Sequence, residues 1–314
     1  MRGGRDLLHD GIKNSDEQEP ACGREEEEKE DKMSYNNQKK IALINDFTGF
    51  GRCSIAVALP VISMLKVQCC PLPTSIFSNH TGFPSFFFDD YTEKMIPYME
   101  EWKKLDLKFS GISTGFLGSK EQIRIVISFL ESFKTKENLV IVDPVMGDYG
   151  KTYATYTQEM CLEMKNLVSY ANILTPNVTE ACILTDTPYQ EKFRLKDYER
   201  MARQLSSQGP EKVVITGIVQ GGFIANYCYE AGVGTKVVRS HKVGTQRSGT
   251  GDIFAAIIAA DAVNQVPFSE SVKKASRFIK KCIECSMQLE IPVTDGVCFE
   301  EVLHTLHLWI FAEG

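Results

Sequence analysis

Short apolar runs recur along the chain, each closed by polar residues. They fall at 41–44, 109–113, 139–142, 171–174 and 212–216. Continuous runs of this length suit strands buried on both faces of a parallel sheet. A further run at 67–74 contains Pro71 and Pro73, which remove ladder donors. It is expected at an edge, or to end early. Helical patterns stand between the runs, at 54–66, 91–104, 119–133, 195–207, 271–289 and 300–311. Ser119 suits an N-cap, with Glu121 and Gln122 in the first turns. The stretch 253–260 is apolar throughout and reads as a buried helix. Segments 223–229 and 236–243 look like a hairpin or an antiparallel edge pair. Strands alternating with helices predict an α/β fold, with a mostly parallel central sheet and helices on both faces.

Residues 1–39 break this pattern. They carry 7 basic and 11 acidic residues, including the run Glu25 to Glu28, and few apolar side chains. Such a segment cannot bury enough surface to offset the entropy of ordering. It is expected to be a disordered acidic leader, with Met33 an alternative start, ahead of a single domain over 40–314. The net charge of −6 is mostly the leader's, since 28 basic and 30 acidic residues remain for the body. No basic footprint for nucleic acid is visible. No apolar run is long enough to cross a membrane, and no secretory h-region opens the chain. The ten cysteines are spread through apolar segments. That distribution fits buried thiols in a reduced, cytoplasmic protein. Cys282 and Cys285 form one Cys-x-x-Cys on a helical pattern, without a second pair to complete a zinc site.

Candidate chemistry lies in the segments that close the apolar runs. Ser248-Gly249-Thr250-Gly251-Asp252 is a glycine turn opening the apolar helix. Such a turn exposes backbone N–H groups at the positive end of a helix dipole, which suits a phosphate. Asp252 there is either a helix cap or a base that takes a proton from an attacking hydroxyl. The first run ends in Asn45-Asp46 and leads to Gly49 and Gly51, but neither the Rossmann nor the Walker A spacing is present. The 139–142 run ends in Asp143-Pro144-Val145-Met146-Gly147-Asp148. Asp143 and Asp148 suit a magnesium ion; the plainer reading of Asp143 is a turn residue before proline. Thr175, Asn177 and Glu180 follow the next run, Glu180 also having the place of a capping-box residue. Thr216 ends the fifth. Residues 77–83 mix phenylalanines with hydroxyl, amide and imidazole groups, suiting either a flat polar-edged ligand or an ordinary loop. In a parallel sheet all these ends gather on one rim, and their coincidence favours a site.

Taken together, these residues resemble the ribokinase-like superfamily and, within it, the pyridoxal/pyridoxamine kinases. The resemblance spans 40–288. Ser78-Asn79-His80-Thr81-Gly82 is similar to the substrate loop of vitamin B6 kinases. The Asp143–Asp148 segment, Thr175-Pro176-Asn177-x-x-Glu180 and Gly249-Thr250-Gly251-Asp252 follow in the family's order. The opening Ile44-Asn45-Asp46-Phe47-x-Gly49-Phe50-Gly51 and the run Pro71-Leu72-Pro73-Thr74 look most like bacterial-type pyridoxamine kinases. The resemblance implies Asp252 as general base toward a hydroxymethyl group. It implies Gly249, Thr250 and Gly251 as an anion hole for the phosphoryl group. Asn177 and Thr216 would contact ATP phosphates. Asp143 and Glu180, with Asp148 and Thr175 beside them, would serve magnesium. Asp46 and Thr81 would hydrogen-bond a pyridine ring that Phe77 and Phe116 sandwich, with Gly82 in the same loop. A monovalent cation and a homodimer are further expectations of the resemblance. Asn45-Asp46 stands where many pyridoxal kinases have Gln-Ser, which keeps hydroxymethylpyrimidine kinases in play. Kinases of other small alcohols and a non-catalytic binding protein of the same fold complete the alternatives.

Overall fold

The computed structural model describes residues 37–310. All but the last three residues of the expected leader, with Met33, lie outside the described residues. So does the end of the expected last helix.

The chain runs β1 (Lys40–Phe50), α1 (Ser54–Met64), β2 (Gln68–Asn79), β3 (Phe88–Asp90), α2 (Thr92–Lys104), β4 (Gly111–Thr114) and α3 (Lys120–Phe133). It continues β5 (Leu139–Val142), β6 (Gly147–Asp148), β7 (Lys151–Thr152), α4 (Gln158–Val168), β8 (Ile173–Leu174), α5 (Val178–Leu184) and α6 (Leu195–Ser206). Then come β9 (Lys212–Gln220), β10 (Phe223–Glu230), β11 (Gly234–His241), α7 (Thr250–Val263) and α8 (Phe268–Gln288). Two 3-10 segments follow, Val293–Asp295 and Glu300–Ile310.

Nine strands form one sheet in the order β11-β10-β9-β8-β5-β4-β1-β2-β3. The six from β9 to β2 are parallel; β3, β10 and β11 are antiparallel. Alternation along the strands divides the core in two. Ala42, Ile44, Val140 and Val142 join the cluster under α2 to α6. Ile41, Leu43 and Ile141 join the one under α1, α7 and α8. Residues Ile253 to Ala260 are buried without a break because α7 lies between the sheet, α1 and α8. Replacing the fully buried Ile257 by Ala would cost about 2–5 kcal/mol.

Two bulges shape the site. The first is at β2, which has the open edge expected at its prolines but does not end early. Over Gln68–Thr74 its only strand partner is β1, so Pro71 and Pro73 sit on an open side, and the carbonyl of Pro71 accepts from the Tyr98 hydroxyl at 3.0 Å. Its register against β1 shifts where Thr74 and Ser75 both stand opposite Asp46. Asn45 and Asp46 therefore belong to β1 itself, at a bulge. The second is in β9, which continues past Thr216. Thr216 and Gly217 together oppose Asn226, and Gly217 takes a left-handed φ of 72°. Bulges of this kind re-aim side chains at the rims of sheets.

Candidate active site

The C-terminal ends of the parallel strands and the start of α7 meet on one rim. The turn before α7 is tight: Gly249, its N-cap, has φ 86°, and a Cβ there would lie 2.0 Å from the Arg52 carbonyl oxygen. No side chain caps the helix. Around Gly251, by contrast, a Cβ would meet nothing within 4 Å. The start of α7 is thus uncapped by a side chain and has room beside Gly251, as an anion cradle requires. The Thr250 hydroxyl donates to the Arg247 carbonyl at 3.1 Å. Val297 N–H donates to the Ser248 carbonyl at 3.1 Å, bracing the turn from the C-terminal segment.

Asp252 lies in the first turn of α7, partly exposed as a residue, with its carboxyl group desolvated. Burial raises its pKa; the Ser54 backbone N–H and the Asn45 amide pull it back down. The Asn45 Nδ2 donates to Asp252 Oδ1 at 3.3 Å. Asp252 does not cap the helix through its side chain, so the plainer of its two sequence readings does not hold.

Three more acids share the rim. Asp46 is buried, its pKa raised to about 6 by desolvation and by the charge of Asp252, against hydrogen bonds from Ser54 and Thr48. Asp143 is raised to about 8 by desolvation and then by Asp252, while the Thr175 hydroxyl, donating at 3.2 Å, lowers it. Glu180 is raised well above the carboxylate range by burial and by Asp143. Its oxygens already accept from the N–H groups of Asn177 at 2.8 Å and Met146 at 3.2 Å. Among the described residues no Lys or Arg offsets these four carboxylates. Such a cluster invites a divalent cation, whose charge would reverse the upward shifts. No three His, Cys, Asp or Glu among the described residues are arranged as a ready cage. Magnesium typically takes one or two carboxylates and completes its shell with water and phosphate oxygens, so Asp143 and Glu180 fit it. Cys53, beside Asp46 and Asp252, has its thiol pushed up to about 12, first by burial, and so is no nucleophile.

A family model for phosphomethylpyrimidine kinase matches residues 58–294. This chain belongs to the phosphomethylpyrimidine kinase family. A solved structure of a putative phosphomethylpyrimidine kinase from Bacteroides thetaiotaomicron is 36% identical, with a TM-score of 0.85 over 87% of this chain and 96% of that one. Its orthorhombic form, with pyridoxal, aligns at a TM-score of 0.83 over 86% and 96% of the two chains. The pyridoxal kinase of Arabidopsis thaliana is 30% identical over 206 residues, 63% of this chain and 65% of that relative. The match thus spans just under two thirds of that relative's length. A pyridoxine/pyridoxal/pyridoxamine kinase from Bordetella avium is 27% identical over 76% of this chain and 82% of that protein.

Within this phosphomethylpyrimidine kinase framework, the structure gathers Asp46, Asp143, Glu180 and Asp252 as the sequence suggested. Asn177 and Thr216 meet through a parallel bridge. Asn177 and Glu180 also form the capping box of α5. Other assignments need correction. Phe77 and Phe116 do not frame a slot: their centroids are 6.1 Å apart with planes at 68°, so the rings meet edge to face. A ring stacked on both sides would need parallel planes roughly 7 Å apart. Phe77 packs instead against Phe88 at 4.8 Å. The Asp46 carboxylate is buried, and its Oδ2 takes the Thr48 hydroxyl at 2.7 Å. Thr81 is exposed in the loop after β2, and its hydroxyl has no hydrogen bond among the described residues. The Gly82 N–H donates to His80 Nδ1 at 3.0 Å, and His80 Nε2 lies 2.7 Å from the Thr294 carbonyl, so the loop is anchored to the C-terminal segment. Asp148 accepts from Tyr149 N–H at 2.8 Å and from Gln246 Nε2 at 2.9 Å, and the Tyr149 hydroxyl bonds Gln246 in turn. Asp148 is thus tied to its own turn and to Gln246, while Asp143 accepts from Thr175. Three partners were not singled out from sequence: Asn45, Ser54 and Gln246. Only Asn45 carried a signal, as a polar residue closing an apolar strand.

Proposed function

We propose that this chain transfers the terminal phosphoryl group of ATP to the 5'-hydroxymethyl group of a vitamin B6 compound: pyridoxal, pyridoxamine or pyridoxine. The supporting observation is the placement of Asp252. It is the one acid at the mouth of the glycine turn, gripped by Asn45 and the Ser54 N–H, with open space beside Gly251. The family and the pyridoxal-bound relative at 36% identity favour a flat heteroaromatic alcohol.

Asp252 accepts the hydroxyl proton as the oxygen attacks phosphorus. The new O–P bond forms while the bond to the leaving ADP oxygen breaks. The backbone N–H groups of 249–251 face the charge that develops on the phosphoryl oxygens. On this reading Asn177 and Thr216, neighbours through their backbone bridge, would contact the outer phosphates. Magnesium at Asp143 and Glu180 would supply charge neutralisation when bound. Phosphoryl transfer asks little else of a protein beyond alignment. A homodimeric, cytoplasmic enzyme is proposed on the resemblance; light scattering of the purified protein tests the dimer.

The direct test is ADP formation with each B6 compound and with hydroxymethylpyrimidine, in wild type and Asp252→Asn. Turnover of a B6 compound at the higher kcat/KM is expected, with Asp252→Asn binding ligand but losing about 100-fold or more of kcat. Preference for hydroxymethylpyrimidine would move the assignment to that substrate, which the family description favours. No ATP consumption with any alcohol would leave only a binding protein.

A further inference from the structure

Asn45 is 4% exposed and stands on β1 just before the bulge at Asp46. Its Oδ1 accepts two backbone N–H groups, from Asp46 at 3.0 Å and from Phe116 at 2.8 Å. Both partners are donors, so the orientation of the amide is fixed by its surroundings. Nδ2 then has one direction left, and Asp252 Oδ1 lies there at 3.3 Å. The segment after β4 closes over the amide: a Cβ on Gly115 would come within 2.5 Å of Asn45 Cγ. Glycine at 115 thus leaves the amide its place, and the Phe116 N–H holds it there.

We propose that Asn45 is a positioning residue: it sets the rotation of the Asp252 carboxylate relative to the substrate-side segment at Phe116. This rests on the kinase reading given above. One amide holds the base through its nitrogen and the Phe116 backbone through its oxygen. The base and the wall of the acceptor site thus share a single reference point, supplied by a group that does not titrate. The 3.3 Å bond is long, as such contacts often are before substrate binds, and it tightens in the reactive complex. A carboxylate free to rotate would spend part of its time turned from the hydroxyl, and a misplacement near 1 Å can cost about 100-fold in rate.

A double-mutant cycle separates this role from simple structural support. Asn45→Ala should lower kcat roughly 10- to 100-fold, with KM for ATP and the dissociation constant of the B6 compound within about 2-fold. In the Asp252→Asn background the same change should alter the residual kcat less than about 2-fold, because the group it acts through is gone. Equal losses in both backgrounds would overturn the assignment. Asn45→Ser guards against a folding defect. It keeps a small neutral polar group on β1, but the shorter side chain ends an atom short of the amide nitrogen that donates to Asp252. It should bind both ligands and lose kcat to a similar extent; wild-type kcat in this variant would also overturn the assignment. Wild-type turnover answers the prior question separately. Additive losses in an active enzyme sink the Asn45 role and leave the kinase reading standing. A wild type inactive on every alcohol sinks that reading and the role with it.

Discussion

The Arg52 carbonyl oxygen occupies the place where a side chain on Gly249 would begin, 2.0 Å from the position of a Cβ. Gly249 also has φ 86°, a conformation that costs other residues energy. The glycine turn before α7 and the turn after β1 are therefore pressed together, and glycine is the residue that allows it. Gly249→Ala should destabilise the protein by about 2 kcal/mol or more and abolish turnover. Gly251→Ala is the contrast, because its Cβ would enter open space. Stability should stay within about 0.5 kcal/mol of wild type, while kcat/KM falls at least about 10-fold as the methyl group intrudes on the cradle. Urea midpoints and ADP assays on the two variants check both halves. An active, stable Gly249→Ala protein would show that the turn is not the cradle.

Asp143 holds its proton more tightly than a free carboxyl because it is desolvated and faces Asp252. Asp143→Asn removes that repulsion and, on the proposed reading, a group that would hold magnesium. The metal-free protein should gain stability at pH 8 and above. Half-saturating magnesium should rise about 10-fold or more in the ADP assay. A magnesium titration matching wild type would move the metal away from Asp143.

The architecture was legible in the apolar runs, because buried parallel strands leave an unbroken signal and their ends point to one rim. Leu139–Val142 was read to the residue, and the Ser119 cap was read from its hydroxyl and spacing. Strand ends were less legible. β1 and β9 continue through Asp46 and Thr216 because bulges let polar residues stay in the ladder, and a bulge has no fixed sequence sign. α4 was passed over, although Met160, Met164 and Leu167 repeat at helical spacing and Thr157 caps it. The last segment has helical periodicity but winds as a 3-10 helix. Within the site, acids and glycines were legible by type and order. Ring geometry was not: whether Phe77 and Phe116 stack or meet edge to face depends on Phe86 and Phe88, packed from β3 and the segment before it.

Asp46 gives a pH signature of stability. Its folded pKa, about 6, lies above its unfolded value of 3.8, mainly through burial. The folded state therefore binds more protons between these two values, and stability falls as pH rises through that window. Above pH 6 the loss is complete; below 3.8 it is absent. Asp46→Asn removes the titration and can still accept the Thr48 hydroxyl. At pH 7, without metal or ligand, it should be more stable than wild type by up to about 3 kcal/mol, with the gain vanishing near pH 4. Urea titrations at a series of pH values measure the difference. A gain independent of pH would mean that Asp46 is not the group responsible.

Lys274 and Asp261 form a buried ion pair between α8 and α7, with Nζ 2.7 Å from Oδ1 and side chains 8% and 2% exposed. Burial raises the Asp261 carboxyl, and the Lys274 charge opposes that rise. The second Asp261 oxygen is buried as well, and the Ser271 hydroxyl, itself buried, also lowers the Asp261 carboxyl. Two charges are thus held out of water by few partners, and the effect of removing them should depend on which half is taken. Lys274→Met strands a carboxylate in the core and should cost about 3–5 kcal/mol at pH 7. That cost should shrink as the pH falls, because a protonated Asp261 is easier to bury. Combining Asp261→Leu with Lys274→Met removes both charges and should restore wild-type stability or exceed it. Since α7 begins at the glycine turn and carries Asp252, the single variant should also lose turnover, whereas the double variant should retain it. Urea denaturation and ADP assays on the three proteins decide the matter. A single variant within about 1 kcal/mol of wild type would mean that water reaches Asp261 and the pair holds nothing together.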